Sequence, residues 1–479
     1  MLMNDLELVR QLDRRLLDDY QLARNYCLDV PTYALVHLRS VAHHLTSWLG
    51  EQFQIEFRSK NLYDRIEQLA KSRHIDMRLA RKLHKLRNDG NKGAHPEKYR
   101  LAPEQLVQLA AKCVKDAARL CAEVFPLLRG QPAPDWQFEP VDAEAGRELC
   151  YQAVMQDDAE AQYLVGLSLK SRGLLQRQRE HSFALANDSE APDLQASTAD
   201  LAQAAYWFAK AAERHDGARF EHGVSLLHGY SGTPDPDQAL LLIEAAAAAK
   251  NADALALLGY FYLTGSHGYP PTPIQAELYL SAAAEQEQPE AMANLAVLYY
   301  QRELGHCDWA QARHWAEQGA RAGYPHAQYQ LAVMLFAGEG GEADPTAALD
   351  WLQSAAEQHY PEALADLAQR VLDGDGIDAN PANADALYRE AIRHGRLPRA
   401  LFELALAHFD GEIPQRDLVA AGHWLHEAYL RAPSGSELAL AIWQLAPELV
   451  SQLDGDPQFA PVRALFDPQG YPRLGPAPE

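Results

Sequence analysis

Between Ala218 and Ala400 the chain repeats itself. Six alanines open near-copies of one pattern: Ala218 (ARFEHG), Ala254 (ALALLG), Ala291 (AMANLA), Ala327 (AQYQLA), Ala363 (ALADLA) and Ala400 (ALFELA). Successive copies lie 36 or 37 residues apart. A fixed period of this length marks a solenoid, in which each unit is a helix pair that cannot bury its apolar face alone. The constraint is strong, because 479 residues exceed one ordinary core unless that core grows by stacking. Solenoids present a long concave surface, and their usual work is to hold a partner.

Each unit reads as two helices. The first starts at the marker alanine and carries apolar residues at helical spacing, as in ALALLGYFYLTG. A glycine turn follows, for example Gly374-Asp375-Gly376, and then a polar residue beside proline, as in Asp344-Pro345 and Asn380-Pro381. Proline at a first helical turn loses nothing, because that N–H has no partner within the helix. The second helix pairs alanines with an aromatic: WFAKAA, LYLSAAA, HWAEQGA, WLQSAA, LYREAI, HWLHEA. This pattern, A-x-x-x-L-G-x-x-Y…G-x-G…A-x-x-W-x-x-x-A-A-x-x-G, resembles the SEL-like repeats, relatives of tetratricopeptide repeats. It is nearly complete over Ala327–Tyr360 and extends from about 145 to 451. A first copy opens at Ala161, and a polar insertion near 171–200 separates it from the next, predicting a loop there. A helix near Ser436–Val450 reads as a cap, and 452–479 as a Pro/Gly-rich tail. The tryptophans Trp207, Trp315, Trp351 and Trp424 fall where this repeat packs its core. Tyr260, Tyr262, Tyr299 and Tyr300 are the candidates for a partner-binding groove, with packing in the core an equal alternative.

Composition narrows the function classes. The five cysteines are scattered without a CxxC pair, so neither a disulfide framework nor a zinc site is expected. No metal and no cofactor is read from the chain, and cysteine usage suits a reducing cytoplasm. The longest apolar run, Ala239–Ala249, is broken by Glu244 and is far shorter than the roughly 20 residues that span a bilayer; no membrane partner is expected. The net charge of −23 hides an asymmetry. Residues 1–130 carry 22 Lys and Arg against 16 Asp and Glu, whereas the rest carries 21 against 50. Such a split suggests two parts with different partners: the basic one could meet nucleic acid, which the acidic one would repel.

Residues 1–128 carry no repeat. They predict helices over about 4–27, 31–53, 60–71, 76–89 and 103–128, followed by a proline-containing linker over 129–144. One segment stands out: Arg87, Asn88, Gly90, Asn91, Ala94 and His95 form R-N-x-G-N-x-x-A-H. Spacing alone predicts a helix that ends at Asp89-Gly90 and turns, with His95 in a loop and Arg87 solvated. Lys82, Lys85, Lys92 and Lys98 are candidates for holding phosphates, or simply a solvated helix face.

The same motif, with Ala23–Tyr26, Asp29–Pro31, Leu38-Arg39 and NLYDRI upstream, resembles a helical domain near the N-terminus of type I restriction enzyme R subunits, a relative of the HEPN class. The resemblance implies an all-α fold, dimerisation through this domain, and, in catalytic members, RNA cleavage by an Arg and a His without metal. Carried over, Arg87 and His95 would be the catalytic pair with Asn88 as helper. Here seven residues separate Arg87 from His95, wider than that pattern. The chemistry would be sound: histidine titrates near neutrality, and arginine can meet the charge of a phosphorane.

The expected architecture is therefore all-α, a helical bundle followed by an α/α solenoid of about seven repeats. The expected function is a cytoplasmic bacterial adaptor. Its acidic repeats would hold a protein partner, and its basic N-terminal domain would dimerise or contact RNA or DNA. The alternative is a HEPN-type RNA-binding or ribonuclease effector, with host defence as its setting, whose repeats sense a trigger.

Overall fold

The computed structural model describes residues 3–59, 61–94, 103–139, 145–186, 195–301, 307–395, 397–413, 415–453, 457–467 and 469–473. The fold is all-α, and two compact units form: residues 1–184 with 189–327, and 328–479 with 185–188.

The first unit opens with β1 (Met3–Asn4), which pairs in parallel with β2 (Trp136–Gln137). Between them run α1 (Asp5–Leu12), α2 (Arg14–Tyr26), α3 (Pro31–Gln52), α4 (Leu62–Lys71), α5 (Met77–Ala94) and α6 (Pro103–Arg129). The single helix expected over 4–27 is broken at Asp13, whose backbone is extended and whose carboxylate accepts from Arg15 N. A side chain that caps α2 in this way offers the backbone an alternative to helix continuation. The helix expected to stop at Asp89 instead continues to Ala94. Gly90 and Gly93 lie against α3, where a Cβ on Gly93 would meet Thr32 O at 2.4 Å and one on Gly90 would meet Leu35 O at 2.9 Å. These glycines serve close helix packing rather than a turn.

The core of this domain is large and aperiodic: Leu8, Leu16, Leu35, Leu38, Leu45, Leu83, Val114 and Phe125 are all buried in one cluster. It also holds a buried ion pair. Asp5 is fully buried and accepts from Tyr20 Oη at 2.8 Å, Arg24 Nε at 2.9 Å and Glu139 N at 3.1 Å. Glu139 lies in the stretch expected to be a linker. Trp136 and Phe138 there pack on the domain core, so 136–139 is part of the bundle.

The repeats follow: α7 (Ala145–Met155), α8 (Ala159–Ala186), α9 (Gln195–Ala211), α10 (Asp216–Leu227), α11 (Pro236–Ala248), α12 (Ala252–Thr264), α13 (Pro273–Ala284), α14 (Pro289–Tyr300), α15 (Trp309–Arg321) and α16 (Pro325–Ala337). The polar insertion is largely helix rather than loop, since α8 runs on to Ala186 and α9 begins at Gln195; residues 187–194 lie outside the described residues. The second unit continues with α17 (Pro345–Ala356), α18 (Pro361–Asp373), α19 (Pro381–Gly395), α20 (Pro398–Asp410), α21 (Leu418–Arg431) and α22 (Glu437–Ser451). Short sequence signals set each boundary. Asp235, Asn251, Asp308, Asp344 and Asp417 cap helix starts with their side chains, satisfying N–H groups that have no intrahelical partner. Gly265, Gly374 and Gly411 end helices in the left-handed region at φ +72°, +75° and +80°, which a side chain would disfavour. Where the two helices of a pair cross, small residues recur: Gly259 lies 2.6 Å from Leu280 by the place its Cβ would occupy, and Ala296, Ala332, Ala368 and Ala405 hold the same place in later repeats, all buried.

Candidate functional site

The R-N-x-G-N segment points into the repeats. Arg87 and Asn91, one turn apart on α5, reach the C-terminal end of α15. Arg87 Nη2 donates to Arg321 O and to Asn88 Oδ1, and Asn91 Nδ2 donates to Ala322 O. The last carbonyls of a helix have no partner within it and carry the negative end of the helix dipole. A guanidinium and an amide brought in from another domain satisfy them. The exchange is reciprocal. Glu287, in the turn between α13 and α14, accepts from Leu62 N at 3.0 Å and pairs with Arg39. It thereby supplies a carboxylate to the N-terminal, positive end of α4. Asn61, the N-cap of α4, donates to Gln318 Oε1 at 3.2 Å. The Tyr63 ring lies between two cations, with Arg87 5.0 Å and Arg321 5.2 Å from its centre.

Arg87, Asp89 and Asn91 are only 4%, 7% and 8% exposed. Asp89 gathers the neighbouring lysines: Lys85 at 2.9 Å and Lys92 at 3.4 Å. Lys85 also reaches Asp116 at 3.3 Å, and Lys82 pairs with Glu123. Lys82, Lys85, Asp116, Arg119 and Glu123 line a mixed-charge pocket with Cys113 at its side. Burial pushes the Cys113 thiol up to about 12, with Asp89 adding to the rise, so it is not a nucleophile at neutral pH. His95 and Lys98 lie outside the described residues. The structure thus joins Arg87 to Asn88 and places three of the four lysines beside carboxylates.

A second contact forms at the turn between α2 and α3. Val30 is buried with Leu149, Ala153, Ala161 and Leu164 of α7 and α8, and Ser168 Oγ donates to Asp29 O at 3.1 Å. Tyr33 hydrogen-bonds Glu160, and burial together with that carboxylate raises the Tyr33 phenol. Glu160 accepts a bond from His215 at 2.9 Å, which holds its carboxyl below the usual range.

The candidate groove tyrosines separate into two kinds. Tyr262 is half-buried, stacked on Tyr279 at 5.6 Å, and Tyr299 is half-buried and donates to Glu277 at 2.6 Å. The first packs within the α12–α13 pair and the second joins α14 to α13 of the preceding pair. Tyr260 and Tyr300 are exposed at 43% and 38% and are the two that face solvent. Trp207, Trp315, Trp351 and Trp424 are half-buried against the repeat cores. Sequence reasoning missed Arg39, Asn61, Glu287 and the carbonyls of Arg321 and Ala322. Glu287 carried one signal: it occupies the place in the repeat held by Gly323 in the next copy, in the left-handed region in both.

No helix among the described residues is long and apolar enough to cross a membrane. The N-terminal domain matches a domain of unknown function, DUF4145, over residues 21–129. The Sel1 repeat matches seven times: 195–216, 217–251, 252–287, 289–324, 325–360, 361–395 and 398–432. Among solved structures, a Sel1 repeat protein from Oxalobacter formigenes is 26% identical, with 64% of this chain and 90% of that one covered at a TM-score of 0.43. The protective antigen c5321 of uropathogenic Escherichia coli, described as displaying an SLR fold, is 16% identical over 98% and 99% of the two chains at a TM-score of 0.39. A Sel1 repeat protein from Klebsiella pneumoniae subsp. pneumoniae is 24% identical over 42% of this chain and 97% of that one, at a TM-score of 0.31. No curated protein matches the chain. From 217 onwards each matched segment spans one helix pair, α10–α11 through α20–α21, and residues 195–432 are a run of Sel1 repeats.

Proposed function

We propose that the protein is an interaction scaffold whose Sel1 repeats bind a protein partner, with the basic N-terminal domain held on the repeats as part of the same binding unit. Sel1 repeats generally mediate protein–protein interaction. The observation that carries the reading is the reciprocal capping of α15 by Arg87 and Asn91 and of α4 by Glu287. The turns that join successive repeats already hold a folded domain, through helix ends and charge. The sign of the charges agrees, since the N-terminal domain is basic and the repeats strongly acidic.

The ribonuclease reading asks Arg87 to meet a phosphate. Its guanidinium is instead engaged with Arg321 O, Asn88 and the Tyr63 face, and Lys82, Lys85 and Lys92 are neutralised by Glu123, Asp116 and Asp89. These contacts support an anchoring role for Arg87. The test is RNA cleavage and binding by the full-length protein beside Arg87→Ala, with the two matched for folding by circular dichroism. The scaffold reading expects no cleavage by either. Cleavage by the parent that is lost in Arg87→Ala would replace it with a nuclease.

A further inference from the structure

We infer that His359, Glu390 and His394 form a binding site for a divalent transition-metal ion of the zinc type, tying the turn after α17 to α19 in the neighbouring repeat. Glu390 and His394 lie one turn apart on one face of α19. His359 stands in the turn between α17 and α18. One donor atom from each of the three residues can be chosen so that all lie within 4.8 Å of one another. His359 Nδ1 is 2.6 Å from Glu390 Oε1, and His394 Nε2 is 3.9 Å from the same oxygen. The two imidazoles stack at 4.7 Å with 23° between their planes. A tetrahedral zinc with bonds of about 2.1 Å sets its donors roughly 3.4 Å apart, between these two distances, so side-chain rotation alone can complete the set.

The chemistry of the donors selects the ion. Two imidazoles and one carboxylate suit zinc and its neighbours, whereas magnesium and calcium demand oxygen. Three protein donors leave one coordination position for water or for a group from a bound partner. Two further observations favour a ligand over a plain ion pair. His359 Nδ1 is buried and makes no aligned hydrogen bond despite its closeness to Glu390. His359 also holds the left-handed φ of +57° at the place in the repeat where Glu287 grips the N-terminal domain and where Gly323 stands in the copy between them. Glu287 shows that this turn position is one from which the repeats engage other groups.

The experiment is calorimetric titration of untagged, metal-stripped full-length protein with zinc chloride, and cobalt chloride followed by visible absorption. The parent is expected to take up one ion per chain, to show the intense absorption of four-coordinate cobalt, and to melt at higher temperature with zinc. His359→Gln and His394→Gln should each weaken binding more than tenfold, and Glu390→Gln should do likewise. His314→Gln, at an exposed histidine elsewhere, should leave binding unchanged. All three site residues are partly exposed, so circular dichroism should show the variants folded. No uptake by the parent, or uptake that persists in the His359→Gln/His394→Gln double variant, would overturn the site and leave only an ion pair.

Discussion

The N-terminal domain and the Sel1 repeats are both all-helical, yet they are held together by different means. The domain folds around one aperiodic core of large side chains with a buried carboxylate at its edge, Asp5, on which α1, α2 and the returning 136–139 segment converge. The repeats place alanine or glycine where the two helices of a pair cross, as at Gly259, Ala296, Ala332, Ala368 and Ala405, and each repeat packs on the next. Damage should therefore spread through the domain as a whole and stay local in the repeats.

The largest effect should come from Asp5→Ala. It removes the carboxylate that Arg24, Tyr20 and the Glu139 amide share, leaving Arg24 its bond to Glu139 O, at a cost of about 3–5 kcal/mol. Thermal melting should fall, and hydrogen exchange should quicken throughout 3–129 while α18–α21 stays protected. Uniform loosening of both regions would contradict the contrast. Leu280→Ala removes a buried side chain from the α12–α13 crossing, where Gly259 packs on it, at a cost of about 2–5 kcal/mol. Exchange should rise in α12 to α14 and little elsewhere. If α20 and α21 loosen equally, nearest-neighbour behaviour fails.

Gly93→Ala gives a prediction whose sign is informative. In an exposed helix this change stabilises by about 1 kcal/mol. Here the new Cβ would press on the Thr32 carbonyl, and overpacking of about 1–3 kcal/mol should outweigh the gain. A raised melting temperature would mean that α3 and α5 are less closely packed than described.

The smallest effect is on pH. Burial, helped by Arg65, holds His43 below the ordinary histidine value, and burial, helped by Arg87, does the same for His84. The folded state thus favours both as neutral. As pH falls below about 6.5, the unfolded chain takes up these protons first, and stability should decline until the lower folded values are passed. His43→Gln/His84→Gln should flatten the melting temperature between pH 7 and 5. An unchanged slope would assign the pH response to other groups.

How much of this the sequence carried depends on what kind of signal each part needs. The repeats were legible because their turns demand glycine at positive φ, their starts demand Asp or Asn beside proline, and their crossings demand alanine. Each requirement names a residue type. The R-N-x-G-N segment was legible as unusual, but its task was not, since a solvated, a catalytic and a docking arginine look alike in sequence. Its acceptors are the main-chain carbonyls of Arg321 and Ala322, which any residue supplies. Gly90 reads as a helix stop because close packing and turning both call for glycine. The break at Asp13 was missed because a capping aspartate inside an apolar pattern also suits a helix surface.

Arg87 and Asn91 tie the N-terminal domain to the repeats through the last carbonyls of α15. Hydrogen exchange of the full-length parent and of Arg87→Ala/Asn91→Ala tests it most directly. Leaving helix-end carbonyls buried without partners costs on the order of 1–3 kcal/mol. Exchange at 62–71 and at 318–325 should therefore quicken together, by about tenfold or more, while α18–α21 is unchanged. Exchange that stays slow at both places in the variant would contradict the anchoring role, and with it the account of the domain and repeats as one binding unit.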